Sequence, residues 1–101
     1  MDGKPLVSDP ITLEKPITRG EQSIEKIQIR KPQSGELRGV SLVDLGQMEV
    51  TALHKVLPRV TLPPLTEHEV SQLDPADLLE LGAEVAYFLL KKARREAFLA
   101  G

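Results

Sequence analysis

The side chains that could do chemistry in this chain are few and scattered. His54 and His68 share no motif, and Glu67-His68-Glu69 looks at first like a ligand cluster. Consecutive side chains on a helix point about 100 degrees apart, so these three cannot converge on one ion. A solvated helix start accounts for them. Asp74 and Asp77 could pair as an acid and a base, but Asp74-Pro75-Ala76-Asp77 is a helix-start signal that explains both carboxylates. Gly35 and Gly39 are followed by no Gly-Lys-Ser/Thr and build no phosphate loop. The chain has no cysteine, which excludes disulfides, thiolate metal sites and a thiol nucleophile. A hydrolase needs a nucleophile, a base and an orienting group within reach of each other, and no such set is visible. The sequence therefore points to no catalytic residue, no metal site and no cofactor.

The elements that would have to position a site are small. At 101 residues with 41% hydrophobic side chains, the chain can bury one modest core but no deep, water-excluded cleft. One Tyr, two Phe and no Trp leave that core to Leu, Val, Ile and Ala. The longest apolar run, Val85 to Leu90, is far too short for a membrane span, and Met1 to Pro5 lacks the basic and apolar regions of a signal peptide. An intracellular protein without a membrane segment is expected.

Residues 1–10, rich in turn formers, read as a flexible arm. Ile11, Leu13 and Ile17 share one parity, and Ile27 and Ile29 alternate with polar residues. That period of two predicts a β-hairpin over 11–31, with its turn at Thr18 to Glu21 and Pro16 on an edge strand. Ile24 breaks the parity and marks a candidate bulge. A two-stranded hairpin is marginal in water, so its apolar face must lie on helices or on another chain, and its second strand is free to pair.

Residues 32–90 read as a helical domain, giving an α+β fold: an N-terminal hairpin followed by a small bundle of three to four helices, the last one longest. Ser41-Leu42-Val43-Asp44 and Thr66-Glu67-His68-Glu69 are capping boxes. The helix after Ser41 is expected to stop at Pro58, and Gly46 either permits a close backbone approach or splits it. Thr61 to Leu65, with Pro63-Pro64, reads as a stiff extended connector. Asp74 and Pro75 open the longest helix, whose basic end is assigned to 91–101 and carries Lys91, Lys92, Arg94 and Arg95.

That last helix has two apolar stripes, Leu78, Leu81, Val85, Phe88 and Leu89 on one and Leu79, Ala86, Leu90, Ala93 and Ala97 on the other. A helix without a wet face is either buried centrally or meets a second partner surface. Leu79, Val85, Ala86, Phe88, Leu89 and Leu90 are therefore the expected partner-binding residues, for a helical partner or a second copy of the chain. The net charge of -2 and the absence of aromatics among the basic residues disfavour nucleic acid.

Ile29-Arg30-Lys31-Pro32, Gly35-Glu36-Leu37-Arg38-Gly39, Leu42-Val43-Asp44-Leu45, Leu57-Pro58-Arg59-Val60-Thr61, Pro64-Leu65-Thr66, Glu69-Val70 and Leu73 to Leu78 occur in order. In this combination the chain resembles the tail assembly chaperones of Mu-like and related contractile-tailed bacteriophages and prophages, from Ile11 to about Leu90. The resemblance implies a non-catalytic protein of the host bacterial cytoplasm, absent from the mature virion. Its implied partners are the tape-measure protein, which it keeps soluble, and the tail-tube protein, whose subunits it helps recruit. The resemblance also implies two product lengths made by a programmed frameshift. Tyr87-Phe88-Leu89 can be written with T TTT TTG and Leu90-Lys91-Lys92 with A AAA AAG, where a ribosome can slip one base back. The rival reading is a host adaptor or regulatory module whose basic C-terminal helix binds an acidic protein or nucleic acid.

Overall fold

The computed structural model describes residues 6–90. Two antiparallel strands come first, β1 (Ile11–Arg19) and β2 (Gln22–Ile29). Gly20 and Glu21 connect them, and Gly20 has φ +56 while Glu21 stays at negative φ. A lone positive φ at the first central position is what a two-residue primed turn asks of glycine. After a single turn of 3-10 helix (Ser34–Leu37) come α1 (Leu42–Gly46), α2 (Val50–Val60), β3 (Thr61–Leu62), α3 (Glu67–Ser71) and α4 (Pro75–Phe88). The expected hairpin with a small helical bundle is the observed α+β fold, and α4 is the longest helix.

The predicted caps form as the side chains require. Ser41 accepts from the Asp44 amide (3.2 Å), and Thr66 and Glu69 exchange hydrogen bonds reciprocally. Asp74 accepts from the Ala76 amide (2.9 Å), with Pro75 in the first helical position where its missing N–H costs nothing. One apolar cluster unites the elements. Ile27 and Ile29 of β2, Leu45 of α1, Val56, Leu57 and Val60 of α2, and Leu81 and Val85 of α4 are fully buried in it.

The structure adds to or departs from the expectations in the hairpin, the connector, α2 and the arm. The irregularity of the hairpin lies in β1: Thr12 pairs with Lys26 and Ile17 with Ile24, so Leu13 to Pro16 face Glu25 alone. Pro16 has no N–H to give the ladder, so the chain loops out there. The second strand is not free along its length, because β3 pairs with it, Ile29 facing Thr61 and Gln28 facing Leu62. Thr61, expected in a mere connector, is buried: its hydroxyl donates to the Leu57 carbonyl (2.9 Å) and accepts from the Leu65 amide (3.0 Å).

Pro58 does not end α2, which runs to Val60 because Val60 completes the apolar face and is fully buried. Gly46 splits the helix, with Met48 at φ +57 and Glu49 capping α2 through the Ala52 amide (2.9 Å). The close approach belongs to Gly82 instead, where a Cβ would stand 2.8 Å from Leu53 Cδ1. Within the expected arm, Leu6 to Ser8 are tied to the strand end. The Ser8 amide donates to the Ile29 carbonyl (2.7 Å), Ser8 Oγ accepts from the Ile29 amide (2.9 Å), and the Lys31 amide donates to the Leu6 carbonyl (2.8 Å). Residues 1–5 of the arm and the basic end at 91–101 lie outside the described residues.

Candidate functional site

The last helix carries the expected site, and the fold divides its apolar residues into two groups. Val85 is fully buried and Phe88 is 7% exposed, both inside the chain's own core against the hairpin and α2. A partner would reach Val85 only by opening the core, whereas Phe88 also lines the cavity beside α4. Leu79 is 59% exposed, and Ala86, Leu89 and Leu90 are half-buried. Leu89 caps α4, and Leu90 follows it, so these two extend from the helix end rather than from a helix face.

Ala86, Phe88, Leu89 and Leu90 share a cavity of about 1160 Å³. Its opposite wall comes from the 3-10 turn, α1 and the break that follows α1, through Leu37, Leu42 and Met48, while Tyr87 and Glu84 continue the α4 side. Lys31 and Ser34 supply polar groups at the strand end. Nothing in the residue pattern points to Met48 or Leu37 in this role, but one signal marks Leu42. Leu42 and Val43 are consecutive in the first turn of a five-residue helix, so one inward face cannot take both. They are 62% and 67% exposed. Val50, at the start of α2, is exposed as well.

A split helix is what makes this wall. Gln47 to Glu49 interrupt the helix between α1 and α2, with Met48 at φ +57, Leu45 as the buried anchor of α1 and Leu42 at the cavity. An uninterrupted helix would have kept the 3.6-residue periodicity of α2 and carried Leu42 on with it.

Elsewhere the polar groups act as ties. Asp77, read from sequence as a first-turn charge, is 1% exposed, and its two carboxylate oxygens accept from the Glu14 amide (2.8 Å) and the Lys15 amide (3.1 Å). These are the amides that the looped segment of β1 takes out of the ladder. Arg19 at the hairpin turn meets Glu69 of α3 in two hydrogen bonds of 2.7 Å and also donates to the Pro64 carbonyl (2.6 Å). The Arg19 hydrogen bond, with help from the Thr66 amide, holds the Glu69 carboxyl well below the usual range, at about 2. Arg30 does the same for Glu36, again to about 2, with the Gln33 amide assisting. Glu84 is pushed the other way, upward, first by burial and then by the nearby charges of Asp9 and Glu80.

No catalytic constellation accompanies the cavity. His54 and His68 lie on α2 and α3, and among the described residues no group of three or more His, Asp or Glu is placed to hold a metal ion. No helix among the described residues is long and apolar enough to cross a membrane. The chemistry on offer is apolar contact edged by an acidic helix flank.

Comparison with known proteins gives this arrangement a context. Residues 10–90 match the family described as phage tail assembly chaperone proteins, E, or 41 or 14. Tail assembly protein E of Escherichia phage P2 is 53% identical over 79 residues, which cover 78% of this chain and 87% of that protein. Tail assembly protein E′ of the same phage is 52% identical over 80 residues, 79% of this chain. That match spans little more than half, 56%, of the length of E′. No solved structure matches.

Proposed function

The chain belongs to the tail assembly chaperones of P2-like and Mu-like contractile-tailed phages, and from that premise we propose that it binds the tape-measure protein, keeps it soluble and helps recruit tail-tube subunits around it. The observation that carries the reading is the cavity between α1 and α4, with exposed Leu42 on one wall and Ala86, Leu89 and Leu90 on the other. A long helical client exposes apolar stripes before its tube is built, and an apolar cleft between two helices is the shape that takes one. Because the cavity rim is made of half-buried rather than deeply buried side chains, each contact is modest and the client can be handed on. On this reading the protein acts in the host cytoplasm, makes no covalent step and is left out of the finished virion.

The two P2 relatives match over nearly equal lengths, 80 and 79 residues, although the match takes up 56% of one and 87% of the other. That supports a single chaperone domain carried by two products. We infer that the slip lies within the codons for Tyr87 to Leu89 or Leu90 to Lys92. Reading the gene for T TTT TTG or A AAA AAG with an overlapping downstream frame tests it; absence of both rejects the two-product reading for this chain.

The client reading is tested by co-expressing the chain with a tape-measure fragment and following the soluble complex by size-exclusion chromatography. Wild type should keep the fragment soluble and co-elute with it. Leu42→Asp should lose the complex while remaining folded. A wild-type chain that leaves the fragment insoluble, or a Leu42→Asp chain that binds it as well as wild type, rejects the cavity as the client site.

A further inference from the structure

The cavity between α1 and α4 has a second candidate occupant in the chain itself. Leu90 lines the cavity, and the sequence that follows it directly is Lys91-Lys92-Ala93-Arg94-Arg95-Glu96-Ala97-Phe98-Leu99. It combines four cations with an apolar triplet. The cavity offers the counterpart of each. Leu37, Leu42, Met48 and Ala86 form apolar walls, and Glu84 lines it with Glu80 one helical turn away and Asp9 close enough to act on Glu84. Lys31 is the cation on the facing side. Three carboxylates crowded at one flank repel each other, and burial already penalises the charge on Glu84. Cations brought beside them relieve both effects.

We infer that the Ala97-Phe98-Leu99 segment of this chain docks in cis between α1 and α4, with its preceding lysines and arginines against the Glu80 and Glu84 flank. Reach is no obstacle. Seven residues separate Leu90 from Phe98, and an extended chain spans about 3.3 Å per residue, so the segment has ample length to turn back onto a cavity that begins at its own root. The consequence is regulatory. A client must displace the segment, and a product in which the residues after Leu90 are exchanged by frameshifting would present the cavity under different control. That consequence rests on the client reading above; the docking itself does not.

The test uses the full chain without any client. Since the protein has no cysteine, Ala100→Cys provides a single site for a nitroxide label, and methyl spectra then report which side chains the label approaches. The expected result is loss of the Leu42 and Met48 methyl signals while Val70, on α3 and outside the cavity wall, keeps its intensity. Adding Phe98→Asp and Leu99→Asp to the labelled chain should restore both signals. Undiminished Leu42 and Met48 signals in the labelled chain overturn the proposal, as does broadening that survives the double substitution. Broadening that appears only between labelled and isotope-enriched copies in a mixed sample also overturns it, and assigns the cavity to the tail of a second copy. A tape-measure fragment that fails to bind leaves this measurement untouched, so the two readings fail separately.

Discussion

The two ends of α4 meet the rest of the molecule in opposite ways. At its N-terminal end Asp77 is buried and spends both carboxylate oxygens on backbone amides of β1, fixing the hairpin to the helix at one register. At its C-terminal end the hydrophobic cluster takes in Val85 and Phe88, and Phe88 joins Ala86, Leu89 and Leu90 in lining a cavity. The difference teaches how a domain of this size divides its labour. Directional, low-tolerance ties hold the scaffold, and non-directional apolar contact is reserved for the surface that must bind and release.

The largest expected effect tests where the boundary between these regions falls. Phe88→Asp would place a carboxylate inside the core, at a cost of about 4 kcal/mol or more, against a total stability of about 5 to 15 kcal/mol for small domains. Urea denaturation should show most of the cooperative transition gone. Leu42→Asp, on an exposed position across the cavity, should shift the midpoint by no more than about 0.5 kcal/mol equivalent. A folded Phe88→Asp chain that has lost only client binding would move Phe88 into the contact surface and redraw the boundary.

Next comes the tie at the other end. Asp77→Ala leaves the Glu14 and Lys15 amides without their acceptor; the carboxylate is buried but the two donor residues are exposed, so a loss of about 1 to 3 kcal/mol is expected. Hydrogen exchange at those two amides is the direct readout, and should accelerate together with the fall in stability. If stability holds and only the two amides exchange faster, the loop in β1 is satisfied by water and Asp77 is not the clamp.

How much of this was legible beforehand follows the same division. Hairpin, caps and the long last helix were readable because each is set by local chemistry: alternation at Ile27 and Ile29, hydroxyls at Ser41 and Thr66, and Asp74 before Pro75. Asp77 was seen only as a first-turn charge, since nothing in its neighbours announces a segment sixty residues earlier that needs an acceptor. The same holds for Thr61, whose neighbours Pro63 and Pro64 dominated the reading while its hydroxyl bridges Leu57 and Leu65. The apolar stripes of α4 were real, but periodicity has no sign. It could not say that Val85 faces inward and Leu79 outward, and it could not see that a break at Gly46 would bring Leu42 to the cavity.

Thr61→Val is the intermediate case, because it keeps the shape and removes only the hydroxyl. The Leu65 amide then loses its acceptor in a buried site, and a cost of about 1 to 2 kcal/mol is expected. Thermal denaturation should show it with the fold otherwise unchanged. A neutral result would mean that the bend from α2 through β3 is held by Leu65 packing alone, and the contrast between directional and non-directional contact would not extend to this corner.

The smallest effect is expected from the surface ion pairs, and its sign can be worked out. Glu69 and Glu36 both fall from an ordinary 4.5 to about 2 in the folded chain, chiefly because Arg19 and Arg30 hydrogen-bond their charged forms. A carboxyl whose folded value lies below its unfolded value adds stability fully above about pH 4.5, and that addition is lost as pH falls toward 2. Both pairs are near the surface and solvent screens them, so each adds little, and added salt should shrink the effect further. Glu69→Gln should therefore flatten part of the acid limb of stability between pH 4.5 and 2 while barely moving the midpoint at pH 2, where the wild-type carboxyl is itself half protonated. Because Glu69 also closes the capping box with the Thr66 amide, Arg19→Gln serves as the separating variant: it removes the cation and keeps the cap. If Glu69→Gln flattens the acid limb and Arg19→Gln does not, the carboxylate is serving the helix start of α3 rather than tying the hairpin to it. The hairpin would then be anchored to the helices through Asp77 and the apolar core, with no help from its turn.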